Sequence, residues 1–218
     1  MRLSFQAIAT TLLAALAPLA AQTVPSGFVV DTLVSSGLNG PNDFTFLPDG
    51  RVLIANYAGA ITCYANGTSA SIGTVPAVET GSERALLSIV ADPNFATNGY
   101  VYVWYANTAD NFMRLDRFTV TGTLTNPTST ALTLDAASRR IVMMTTPDNA
   151  YNHNGGSIRF GPDGMLYLTM GDDATGGCPA QLTTTSLGCL MRMNVSVLPP
   201  GGSLTAPTIS AHSSMRLE

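Results

Sequence analysis

Short apolar runs alternate with polar positions along most of this chain, and turn residues punctuate them. Residues 27–35 (GFVVDTLVS) alternate as an edge strand does, and Gly37-Leu38-Asn39-Gly40-Pro41 forms a turn after them. Residues 44–47 and 52–55 flank Pro48-Asp49-Gly50 and predict a first hairpin. Proline there presets φ, aspartate caps locally and glycine takes a positive φ. A short strand is expected at 60–64, closed by the Asn66-Gly67 turn. Residues 84–90 (RALLSIV) lead to Asp92-Pro93-Asn94 and the turn Thr97-Asn98-Gly99. Residues 100–105 (YVYVWY) are the most β-prone run in the chain. Strands are also read at 114–120 and 139–144, with a break at Asn126-Pro127 between them. Finally, 157–160 and 165–170 flank Pro162-Asp163-Gly164 and predict another tight hairpin.

These hairpins repeat. FLPDGRVLI at 46–54 matches FGPDGMLYL at 160–168, and VADPNFATNGYVYV at 90–103 is a longer variant of the same strand, turn and strand. Pro48, Pro93 and Pro162 lie 45 and 69 residues apart. Short antiparallel strands repeating at ~40–50 residues are the pattern of propeller blades. PDG turns occur in any β-protein, but three such hairpins with matching flanks, two of them closed by PDG, favour an all-β propeller over a sandwich. At ~45 residues per blade the chain supplies about four blades.

The N-terminal stretch MRLSFQAIATTLLAALAPLAAQ reads as a secretory signal, with Arg2 ahead of an apolar segment of roughly 14 residues, shorter than the ~20 a membrane span needs. The expected layout is a signal peptide at 1–21, a partial propeller at 22–197 and a loose tail at 198–218. The tail is rich in Ser, Thr and Pro from Pro199-Pro200-Gly201-Gly202 onward. Charged residues make up only 11%, against ~25% in ordinary domains, and every basic residue is Arg or one of two His. That suits a secreted or periplasmic β-protein with no membrane span after signal cleavage. A net charge of −4 with no basic run argues against nucleic acid as a partner. Of the three cysteines, Cys63 reads as a buried strand thiol. Cys178 and Cys189 share one loop region, where export permits a disulfide or two free thiols.

Candidate chemistry concentrates in YNHNGGSIRFGPDGMLYLTMGDD, residues 151–173. In a hairpin with so short a turn, the start of the first strand and the end of the second share an edge. His153 and Asp172 are therefore expected side by side. A histidine beside a carboxylate, flanked by glycines that admit another molecule, is a credible acid–base site. The bland alternative is a turn histidine bonded to backbone. Asn154 and Asp173 read as turn chemistry.

This stretch resembles the core of the soluble pyrroloquinoline-quinone (PQQ) sugar dehydrogenases, the glucose/sorbosone dehydrogenase type. The resemblance runs from about 27 to 195 and corresponds to the N-terminal half of that family's six-bladed propeller. It implies that His153 is the general base taking the proton of an aldose's anomeric hydroxyl while hydride passes to the quinone, and that Asp172 orients the imidazole. Ser82-Glu83-Arg84-Ala85-Leu86-Leu87 resembles a second family segment, whose polar residue faces the cofactor. Glu83 holds that position where Gln is common, with Arg84 as its candidate partner. Asn152 stands where glucose-oxidising members carry an acidic residue touching sugar or cofactor. PQQ and calcium are implied cofactors, and a sugar and an electron acceptor are implied partners. The quinone's carboxylates call for cations. Arg139, Arg140 and Arg192 are the local candidates, and no metal ligands are legible here. Residues 27–35, lacking a closing partner, leave an edge open to self-association. The alternative function is a non-catalytic secreted binding module, since protein-binding eukaryotic relatives carry a similar hairpin. A gluconolactonase-like hydrolase needs a metal site on several blades, and that ligand set is not evident.

Overall fold

The structure, a computed structural model, describes residues 24–182, 185–205 and 212–215. The signal segment at 1–21 lies outside them. Residues 24–32 belong to a separate short unit. It turns where Phe28 N donates to Pro25 O at 3.1 Å, and Phe28, Val29 and Val30 are exposed. The strand expected at 27–35 does not form. Its alternation has no neighbouring ladder among the described residues, and a lone exposed segment whose N–H and C=O groups bond water gains nothing from the strand conformation.

The second unit is built of three antiparallel four-stranded sheets, each a meander in chain order. The first holds β1 (Pro41–Phe46), β2 (Val52–Asn56), β3 (Ala60–Ala65) and β4 (Thr68–Thr74). The second holds β5 (Leu86–Ala91), β6 (Tyr100–Asn107), β7 (Phe112–Gly122) and β8 (Leu132–Pro147), with the one-turn helix α1 (Phe95–Asn98) between β5 and β6. The third holds β9 (Ile158–Phe160), β10 (Leu166–Thr169), β11 (Leu190–Met193) and β12 (His212–Met215). The fold is thus all-β with the meandering sheets of a propeller. The ~45-residue count expects about four sheets where the described residues make three. The long β7 and β8 absorb the difference.

The turn chemistry is reused as the repeat implies. In the first hairpin Asp49 Oδ1 accepts from Arg51 N at 3.2 Å and Gly50 takes φ 89°. In the third sheet Asp163 Oδ1 accepts from Met165 N at 3.1 Å and Gly164 takes φ 73°. In the second sheet the longer variant inserts α1, ended by Gly99 in the left-handed region.

Two apolar cores lie between successive sheets. Leu53, Ala55, Ile61 and Cys63 of the first sheet pack on Leu86, Ile89, Val103 and Phe118 of the second. Tyr102, Trp104 and Leu115 on the second sheet's other face pack on Ile158, Leu166, Leu168 and Met193 of the third. Phe44, Phe46, Val52 and Ile54 occupy in the first sheet the repeat positions that Ile158, Phe160, Leu166 and Leu168 occupy in the third. There Phe44 is 53% and Phe46 65% exposed, and they line an apolar groove of about 390 Å³.

The first strands of the sheets, β1, β5 and β9, run beside one another. A polar relay joins them. Ser88 Oγ donates to Asp43 Oδ2 at 2.5 Å, Arg159 Nη2 donates to Asp43 Oδ1 at 2.7 Å, and Ile158 N donates to Ser88 Oγ at 3.1 Å. The chain just ahead of β5 and the chain just ahead of β9 lie together, and both carry candidate site residues.

In the stretch read as a loose tail, residues 199–203 are held against the second sheet. Arg117 Nη2 donates to Pro199 O at 2.7 Å, Arg140 Nε donates to Gly201 O at 2.8 Å, and Ser203 bridges Arg140 as a parallel partner. Beyond them β12 pairs with β11, a strand that the composition of this stretch did not suggest.

Candidate active site

Glycine makes the loop ahead of β9 possible. Gly155 and Gly156 both take positive φ. A Cβ at Gly156 would enter the Trp104 ring, and one at Gly171 would collide with His153 O. The two ends of the hairpin therefore cross at backbone contact distance. Gly171 N donates to Asn154 O at 3.1 Å, and Asp173 N donates to His153 O at 3.1 Å. The crossing brings His153 Nδ1 to 2.8 Å from Asp172 Oδ1, the pairing expected from hairpin geometry.

The loop is locked from below. Asp148 is buried; its Oδ1 accepts from Asn154 Nδ2 at 2.8 Å, and Arg84 Nε lies 2.7 Å from its Oδ2. Burial pushes the Asp148 carboxyl up, against the pull of Arg84, and contact with Asp173 raises it further. Asp173 itself accepts from Asn149 N and Ala150 N, as a turn-capping residue does.

His153 takes φ 61°, in the left-handed region. That conformation costs a non-glycine residue ~1–2 kcal/mol. Its N–H donates to Glu83 Oε2 at 2.7 Å, while Glu83 N donates to Tyr151 O at 3.0 Å. A hydrogen bond to an ionised acceptor contributes ~1.5–3 kcal/mol, enough even at the lower end to offset much of the strain. The amide, the carbonyl and Nδ1 of His153 are thus all engaged. Nε2 is the ring nitrogen without a hydrogen bond among the described residues, on a side chain about half exposed. Asp172 is exposed too, and the His153 hydrogen bond holds its carboxyl below the usual carboxylate range. This arrangement can accept a proton at Nε2 with the tautomer fixed at Nδ1.

The other expected residues distribute unevenly. Asn152 is exposed at the apex of the loop, between the two residues that Glu83 bonds. Arg84 is buried, donates Nη1 to Glu79 at 2.7 Å, and stacks over the Tyr151 ring at 4.3 Å. It turns toward Glu79 and Asp148 rather than pairing with Glu83. Arg139 binds Asp116 at 2.7 Å, Arg140 binds tail carbonyls, and Arg192 binds Asp163 at the opposite end of the hairpin. None of these three is brought to His153. Cys178 and Cys189 are not bridged to each other, Cys189 Sγ donates to Ser186 O at 2.7 Å, and Cys63 is buried in β3. Asp148 and the Asp43–Ser88–Arg159 relay escape sequence reading. The trace the relay leaves is a polar residue inside each first strand: Asp43 in PNDFTF, Ser88 in LLSIVA and Arg159 in IRF.

Residues 38–206 match the family model for glucose/sorbosone dehydrogenase. A PQQ-bound aldose sugar dehydrogenase from Streptomyces coelicolor superposes with a TM-score of 0.63 at 30% identity, over 77% of this chain and 48% of that one. Quinoprotein glucose dehydrogenase B of Acinetobacter calcoaceticus is 23% identical over 64% of this chain and 30% of its own length. Hedgehog-interacting protein of Mus musculus is 33% identical over 44% of this chain and 14% of its own. The chain spans less than half the length of each of these relatives. With the model covering most of its length, this chain belongs to the glucose/sorbosone dehydrogenase family.

Proposed function

We propose that this chain carries the proton-accepting part of a PQQ-dependent aldose dehydrogenase. His153 Nε2 takes the proton of the anomeric hydroxyl. Asp172 holds Nδ1–H and stabilises the imidazolium that forms. Asn152, exposed at the loop apex, hydrogen-bonds the sugar. The 2.8 Å His153–Asp172 contact on an open loop face carries this reading. A secreted or periplasmic setting goes with it, and among the described residues no helix is long and apolar enough to cross a membrane.

The fit to the cofactors is partial. A quinone bearing several carboxylates needs cations, and Arg84, Arg139, Arg140, Arg159 and Arg192 all carry hydrogen bonds to carboxylates or carbonyls of the chain itself. Among the described residues no cluster of three or more His, Cys, Asp or Glu offers a calcium site. The hydride acceptor and the groups that hold it would come from beyond the described residues.

The same engagement of the arginines, with the likeness to Hedgehog-interacting protein, favours a second reading as a non-catalytic secreted binding module. Titration with PQQ and calcium, followed by absorbance and by aldose-driven dye reduction, separates the two. The enzyme reading expects saturable binding and turnover that falls roughly 10²–10⁴-fold in His153→Ala. No quinone binding, under conditions where a full-length relative binds, would reject it for this chain.

A further inference from the structure

The three residues 151–153 are spanned by a single residue, Glu83, from the turn ahead of β5. Glu83 sits at the tip of the turn ahead of β5, where Gly81 and Arg84 bridge each other and Gly81 N donates to Tyr57 Oη at 2.8 Å. Its main-chain N–H donates to Tyr151 O, and its carboxylate accepts from His153 N at 2.7 Å. Arg84, next in sequence, grips Asp148 O at 2.7 Å and lies over the Tyr151 ring. The turn and the histidine loop are therefore fastened at several places, and of these contacts the Glu83 carboxylate is the one that reaches His153 itself.

We infer that Glu83 is a positioning residue for His153. A peptide N–H can be held by one acceptor at this distance, and the acceptor fixes which way the following ring projects. With the carboxylate bonded there, the His153 backbone stays in the left-handed region and Nδ1 stays on Asp172. Without it, the backbone relaxes toward ordinary φ, the ring leaves Asp172, and the proton is free to move between the two ring nitrogens. Glutamine keeps a carbonyl oxygen of the same reach and can accept the same N–H, whereas alanine cannot. The inference rests on His153 being the proton acceptor, but the geometry it predicts does not depend on turnover.

The chain contains two histidines, His153 and His212, so imidazole ¹⁵N spectra of the whole protein are simple to assign with a His212→Gln variant. The expected result is a single Nδ1–H tautomer for His153 in the wild type and in Glu83→Gln, and a mixture of tautomers in Glu83→Ala. Amide exchange at His153 accelerates in Glu83→Ala alone. Where turnover is measurable, Glu83→Ala lowers kcat roughly 10²-fold with the sugar KM nearly unchanged, and Glu83→Gln restores most of it. A His153 tautomer unchanged in Glu83→Ala overturns the inference, as does a Glu83→Ala defect confined to quinone affinity. If the wild type neither binds quinone nor turns over sugar, the enzyme reading falls, while the tautomer spectra still decide the role of Glu83.

Discussion

At His153 the main chain and the side chain are held by different partners, and this division decides what each neighbouring substitution does. Asp172 acts only on the ring. Asp172→Asn can present an amide N–H to Nδ1 and stabilise the other tautomer, so turnover is expected to fall on the order of 10²-fold, short of the ~10⁴-fold seen for a buried triad carboxylate. Kinetics at fixed sugar concentrations check this. The pair also has a defined pH range. Its hydrogen bond to His153 depresses the Asp172 carboxyl below 3.8, so the pair is complete above that value and is lost only as pH falls through the depressed one. Imidazole spectra recorded on acidification should show the Nδ1–H bond persisting below about pH 4. The neighbouring carboxylates do not touch the ring: Asp148 accepts from the Asn154 side chain and Asp173 from the Ala150 amide.

At the scale of elements, the repeat gives a controlled comparison. Leu168 and Ile54 hold the same place in two copies of one hairpin, but Leu168 is fully buried against the second sheet while Ile54 faces the open groove. Leu168→Ala is expected to cost about 2–5 kcal/mol, and Ile54→Ala about 1 kcal/mol or less. Urea denaturation of the two variants measures the difference, and equal costs would contradict the open face. The hairpins were legible because Pro-Asp-Gly turn chemistry is local, and His153 beside Asp172 was legible because a short turn dictates which ends meet. Other features left no local pattern. Strand β4 (TSASIGT) lacks apolar alternation and forms because β3 offers a ladder, and β11 (LMRM) is too short to read. Residues 27–35 show the converse, since they carry the alternation and find no ladder. The Glu83–His153 bond joins loops 70 residues apart and is invisible to any reading by segments.

Across the whole unit, the sheets are joined at their first strands by polar contacts as well as by the two apolar cores. Burial acts to raise the Asp43 carboxyl, but hydrogen bonds from Arg159, Ser88 and Ile89 outweigh it and hold the group below 3.8. The relay therefore stabilises the assembly above that pH and loses its contribution as pH falls through the depressed value. Asp43→Asn is expected to flatten the acid side of the stability profile, read as urea midpoints between about pH 3 and about pH 6. The clasp of Arg117 and Arg140 on residues 199–203 has a different reach. Composition alone would let a protease cut anywhere after residue 197. Two buried guanidinium groups with their acceptors removed would each leave donors unsatisfied at ~1–3 kcal/mol, so the chain resists being nicked there. Limited digestion with a nonspecific protease should spare the bonds of residues 199–203, and mass spectrometry of the products would show protection continuing past the point where the sequence turns to Ser, Thr and Pro.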